Sequence, residues 1–171
     1  MKPEILIWLF PIVFMIHEFE EIIFMRWWFR KNKESILIKY PKLGKRMVVQ
    51  FESLSTEAFS LIVAEEFILA SLIVIISVIT SNYDLYFGLI TAYSVHLLVH
   101  IIQTVAIRQY TPAIVTTILT GIFSVVVFIE FTNRELISFN HALIYSIVLT
   151  LVIFLNLNLM HRLIKRIEIL T

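Results

Sequence analysis

The chain has 171 residues, 59% of them hydrophobic and 16% charged, with a mean hydropathy of +0.89 and a formal net charge of +1. That balance excludes a soluble globular domain and fits an all-α polytopic membrane protein, read here as one integral membrane domain over residues 1–171. There is no cysteine, which excludes structural disulfides, thiolate zinc sites and iron–sulfur clusters, so any metal must be held by imidazole and carboxylate.

In chain order, the first predicted span covers about residues 5–25. It reads as a retained helix and not a signal peptide: Glu4 sits beside Lys2, Pro11 breaks the apolar run, and no small-x-small cleavage site precedes the glutamates. Trp27 and Trp28 then mark an interface, followed by a basic loop at 26–50 with a break at Tyr40-Pro41 and an interfacial helix expected around 47–54. Further spans are predicted at about 57–80, 85–107, 113–131 and 143–160. Pro112 is placed as a first helical residue and Asn140 as an N-cap.

Five spans put the termini on opposite sides. The first loop holds eight of the fourteen Lys and Arg residues, the third holds Arg108, and the tail holds Arg162, Lys165 and Arg166. The alternate loops carry Asp84 on one and Arg134 with Glu135 on the other. The positive-inside rule therefore predicts an external N-terminus, a cytoplasmic C-terminus and a multi-pass protein of the cell membrane.

The stretch that departs from lipid-grade sequence is His17-Glu18-Phe19-Glu20-Glu21, inside the first span. Buried carboxylates cost a few kcal/mol each at membrane depth, by the order-of-magnitude insertion scales, and no Lys or Arg lies within the span to pair with them. On a helix His17, Glu20 and Glu21 share an arc of roughly 100°, with Glu18 outside it. Depth connects this arc to other helices. His17 lies nine residues before Arg26, His100 eight before Arg108, and Glu65 and Glu66 eight and nine after Glu57. At 1.5 Å per residue all are about 12–13 Å inside one face, with His96 one turn away.

The candidate metal ligands are thus His17, Glu21, Glu65, Glu66, His96 and His100, with Glu20 as the proton-handling catalytic residue. Glu65 lies nearer the stripe of Glu57, Ser60 and Ala64 and is favoured over Glu66, which alternatively faces another helix or a second subunit. His96 and His100 have the i,i+4 spacing common to helical ligands, although His96 could equally bond a backbone carbonyl. The bland reading of the His17–Glu21 cluster is a protonated, hydrogen-bonded knot that specifies helix packing. Asn156 and Asn158 read as helix glue. The small-residue stripe Ala113, Thr117, Thr120, Gly121 and Ser124 reads as close packing, and Glu57, Glu130, His141 and His161 as boundary residues.

His17-Glu18-Phe19-Glu20-Glu21, followed by His100 and then Tyr110-Thr111-Pro112-Ala113, resembles the HXXEE family of small bacterial membrane proteins over roughly residues 14–117. That family carries a further histidine and a Tyr-x-Pro-Gly motif; Ala113 stands here in place of the glycine. The resemblance implies site residues and no reaction.

Two function classes follow. One is a metal-dependent membrane enzyme, hydrolase or oxidoreductase, acting on a lipid or other hydrophobic small molecule. Its cofactor would be a divalent transition metal, Zn, Fe or Mn, in a mononuclear or dinuclear site. The other is a non-catalytic proton- or ion-handling or sensor protein; the absence of internal repeats and the scarcity of Gly, three residues, and Pro, four with only Pro11 mid-span, speak against a typical transporter. A glutamate-type intramembrane protease is a lesser alternative, since its EExxxR spacing is one residue too long at Arg26. The expected partners are membrane lipid, a lipid-like substrate and a second copy of the chain, with no nucleic acid.

Overall fold

Among the described residues five long helices account for the architecture, α1 Pro3–Lys39, α2 Thr56–Ile79, α3 Tyr83–Ile107, α4 Ile114–Asn133 and α5 Phe139–Leu170. The computed structural model describes residues 2–42, 44–45, 48 and 54–170, and the side chains up to residue 164. There is no strand among the described residues. The helix expected at 47–54 falls almost wholly outside them.

Four of the five, Thr56–Ile79, Tyr83–Ile107, Ile114–Asn133 and Phe139–Ile164, are long and apolar enough to cross a membrane. The outward faces of these helices are rows of Ile, Leu, Val and Phe. An apolar surface of that extent marks a lipid-facing protein. α1 is not among the four, because its own acid cluster interrupts the apolar window. It is also longer than expected. The helix runs through Pro11 and past the two tryptophans as far as Lys39, ending at Tyr40 before Pro41, where a residue preceding proline leaves the α region. Trp27 is exposed, whereas Trp28 is buried against Phe29, Ile36 and Ile107.

Helix ends follow local chemistry. Ser55 caps α2 by accepting from the Ala58 amide at 3.0 Å, and Asn82 caps α3 by accepting from the Leu85 amide at 3.0 Å. α4 begins at Ile114, two residues after Pro112, and α5 begins at Phe139, so Asn140 lies inside the helix and does not cap it.

α1 and α3 run the same way in fixed register. The Tyr86 hydroxyl donates to the Leu6 carbonyl at 3.1 Å, and the Tyr83 hydroxyl donates to Glu4 Oε1 at 2.9 Å. Phe10 packs edge-on to Tyr86 and Tyr93. Val127 and Phe131 of α4 close this aromatic layer. Thr117, Thr120 and Ser124, on the same face of α4, are all buried, as the small-residue stripe anticipated. α5 lies against α3 at Gly88, where an added Cβ would come within 2.8 Å of the Tyr145 backbone. Continuing the α1–α3 register by two turns brings His17 and Glu21 opposite His96 and His100.

Candidate metal centre

His17, His96 and His100 turn their Nε2 atoms toward one point. Nε2 of His96 is 3.2 Å from that of His17 and 3.0 Å from that of His100. Glu21 completes the group, its Oε1 3.0 Å from His100 Nε2. One ligand atom from each of the four residues lies within 4.8 Å of every other. The imidazole planes are steeply tilted to one another, by 85° for His17–His96, 64° for His17–His100 and 83° for His96–His100. Rings arranged in this way aim at a common centre and do not stack. Tetrahedral ligands at bonds of about 2.0–2.1 Å stand about 3.3–3.4 Å apart, close to the three shortest separations, while the group as a whole spans up to 4.8 Å.

The alternative to a shared cation is hydrogen bonding among the imidazoles themselves. His96 Nε2 faces two other ring nitrogens, yet it can donate at most one hydrogen. The geometry of His17 sharpens the point. Thr116 Oγ1 lies 2.7 Å from Glu20 Oε2 and 3.2 Å from His17 Nδ1. A hydroxyl has one hydrogen, and the shorter, charge-assisted contact takes it. His17 Nδ1–H must then donate to Thr116 Oγ1, which leaves the lone pair on Nε2, aimed into the group. An outer partner that fixes the tautomer in this way is characteristic of metal-ligating histidines.

Glu20 turns away from this point and toward α4. Its Oε1 accepts from the Tyr110 hydroxyl at 2.7 Å, and its Oε2 accepts from the Thr116 amide at 2.8 Å and from the Thr116 hydroxyl. The carboxylate therefore does for α4 what a capping side chain would do. Ala113, the residue at the cap position, has no oxygen to offer. Burial and the bond to Glu20 push the Tyr110 phenol up to about 12, so it remains a donor throughout the physiological range. Ala113 itself has φ 77° and ψ −16°, in the left-handed region. The Tyr-x-Pro-Gly position therefore does demand a positive φ, and this chain meets the demand with alanine. Thr111 bonds Thr104 and tightens the same turn.

Of the other expected residues, Glu65 accepts from Asn156 Nδ2 at 2.8 Å and stands outside the four-residue group. Glu66 also lies outside it, but close enough to interact electrostatically with Glu18 and Glu21. Its Oε1 is buried without a partner among the described residues. Asn158 bonds its own helix at Phe154 and His161 its own helix at Leu157, while Glu130 pairs with Arg134.

Sequence reasoning passed over three contributors. Glu18 is buried, 3.7 Å from His96 Nε2; helix periodicity put it off the arc, but the arc ignored α3. Tyr110 and Thr116 hold Glu20 and His17 from beyond α3. Tyr110 was visible as part of a motif, whereas nothing marked Thr116.

The family model described as a protein of unknown function with HXXEE motif matches residues 8–128. No curated protein and no solved structure matches the chain. The matched stretch contains all four residues of the centre and both residues that brace it from α4 and the turn before it, and the chain belongs to the HXXEE family.

Proposed function

We propose that this protein is a metal-dependent membrane enzyme acting on a lipid or other hydrophobic small molecule. The carrying observation is the convergence of three imidazole nitrogens and one carboxylate, with the His17 tautomer set by Thr116. His17, His96, His100 and Glu21 would hold one divalent cation, Zn, Fe or Mn. Four protein donors satisfy tetrahedral zinc and leave positions open on a six-coordinate iron or manganese, which favours the latter pair for catalysis. Such an ion, when bound, supplies Lewis-acid or redox chemistry at a site sheltered from water.

The residues of the chain divide the remaining tasks. Glu20 holds the Thr116 end of α4 and through it the ring of His17. Because both its oxygens already accept hydrogen bonds, proton handling passes to Glu18 and Glu66, which flank the centre on the side of His96. His96 is the one member of the four that is only half-buried, so reactants would approach past it. The protease alternative needs two carboxylates at one place, whereas Glu20 and Glu21 go to different partners.

We also read α1 as a fifth span, with the N-terminus outside and the chain in the cell membrane. At about 1.5 Å per residue its 37 residues are longer than a bilayer core, leaving the basic end beyond the lipid. Cysteines placed at Lys39 and Asp84 should label from opposite sides.

For the reaction, membrane lipid extract is incubated with metal-loaded protein and with Glu18→Gln and His96→Ala variants, and compared by mass spectrometry. A product formed only by the metal-loaded wild type is expected. Identical extracts in all samples, from protein that holds its metal, would favour the ion- or proton-handling reading.

A further inference from the structure

A narrow cavity of about 70 Å³ runs beside the centre between α1, α2, α3 and α5. The distribution of its lining residues is uneven. Glu18, Glu66, His96 and Asn156 sit at one end. From there the walls become Phe14, Phe10, Ala70, Ile73, Ala92 and Leu89, with no polar side chain but Tyr93. Glu18 to Phe10 is eight residues of helix and His96 to Leu89 is seven, so the apolar shaft is about 10–12 Å long. Leu69, partly exposed at the wall, lies where the shaft meets the outer face of α2.

We propose that this cavity binds one apolar chain end-on, with a head that donates hydrogen bonds, an alcohol or an amine, at the Glu18–Glu66 end. Three observations meet here. The shaft admits one chain, being walled by four helices. The polar end presents two carboxyl groups, and no Lys or Arg among the described residues lines the cavity, so nothing there pairs with an anionic head. Glu66 Oε1 has no partner among the described residues, which leaves an acceptor open to a donor. His96 belongs both to this polar end and to the metal group, so a head bound there abuts the centre. The inference rests on the metal-centre reading for what happens to the head, but not for the binding of the chain.

The test uses metal-loaded full-length protein in phosphatidylcholine nanodiscs, with a long-chain alcohol bearing a diazirine midway along the chain. Adducts are mapped by mass spectrometry with excess hexadecanol, hexadecylamine or hexadecanoic acid as competitor. Labelling should concentrate on the segments around Phe14, Ala70 and Ala92, and fall about tenfold with alcohol or amine but not with acid, corresponding to about 1.4 kcal/mol of preference. Ala92→Trp fills the shaft and Leu69→Trp narrows its mouth; either should reduce labelling at these segments. Labelling spread over the lipid-facing residues, or competition by acid as strong as by amine, would overturn the proposal, and the wild-type map alone decides this if a variant fails to fold. Metal is counted in the same samples. Competable labelling in metal-free protein upholds the cavity and removes the centre, whereas metal-loaded protein without competable labelling removes the cavity and leaves the centre.

Discussion

The α1–α3 pair is two different structures laid end to end. In one half, Leu6, Phe10 and Phe14 meet Tyr86, Ile90 and Tyr93 in apolar and aromatic contact. In the other, His17 and Glu21 meet His96 and His100 across polar atoms alone. The first half is closed by side chains alone, its rings packing on one another and on Val127 and Phe131 of α4, with the Tyr86–Leu6 bond alongside, and it needs no bound group. The second half gathers groups that would otherwise have to be solvated, and bracing comes from α4 through Glu20. The register established in the first half is what aims the second.

If that division is right, substitutions in the two halves should separate stability from metal content. The largest effect belongs to Phe10→Ala, which leaves a hole between Tyr86 and Tyr93. A loss of about 3–5 kcal/mol is expected by the usual scale for buried aromatic truncation, read from denaturation in mild detergent, with metal stoichiometry of the folded fraction unchanged. A folded fraction that lost its metal would show that the halves are not separable.

Glu20→Gln tests the brace. It removes the charge from three hydrogen bonds, worth about 1.5–3 kcal/mol for a bond to a charged group. Exchange of the Thr116 amide should accelerate, and metal affinity should weaken without disappearing. Unchanged exchange at Thr116 would show that α4 is capped in another way.

Ala113→Gly should act in the opposite direction. An alanine in the left-handed region carries about 1–2 kcal/mol of strain, partly offset by the greater freedom of glycine in the unfolded chain. The net expectation is a gain of about 0.5–1 kcal/mol, seen as a raised melting temperature. A loss would mean that the Ala113 methyl, which is fully buried, packs well enough to outweigh its backbone.

How much of this could be read from the sequence depends on how local each cause is. Helix existence and class were accessible because long apolar runs between turn residues have few other solutions in lipid. The ends were less so, since α1 continues past its tryptophans for reasons of packing that only Phe29, Ile36 and Ile107 reveal. Depth counting from the basic boundaries brought His17 and His100 to one layer, because rise per residue is nearly invariant. It could not choose azimuth. Glu65 lies nearer the stripe of Glu57, Ser60 and Ala64 yet bonds Asn156, whereas Glu66 interacts with Glu18 and Glu21. Glu20 looked free because its partners, Tyr110 and Thr116, come from segments far along the chain.

Everything assigned to the four-residue group depends on its holding a cation. Protein purified in mild detergent without chelator, then assayed by inductively coupled plasma mass spectrometry beside His17→Ala and His100→Ala, decides it. About one Zn, Fe or Mn per chain is expected in the wild type, as for a single mononuclear site, and almost none in either variant of unchanged helical content. Wild-type protein with far less than one equivalent, or variants that keep their metal, would contradict it.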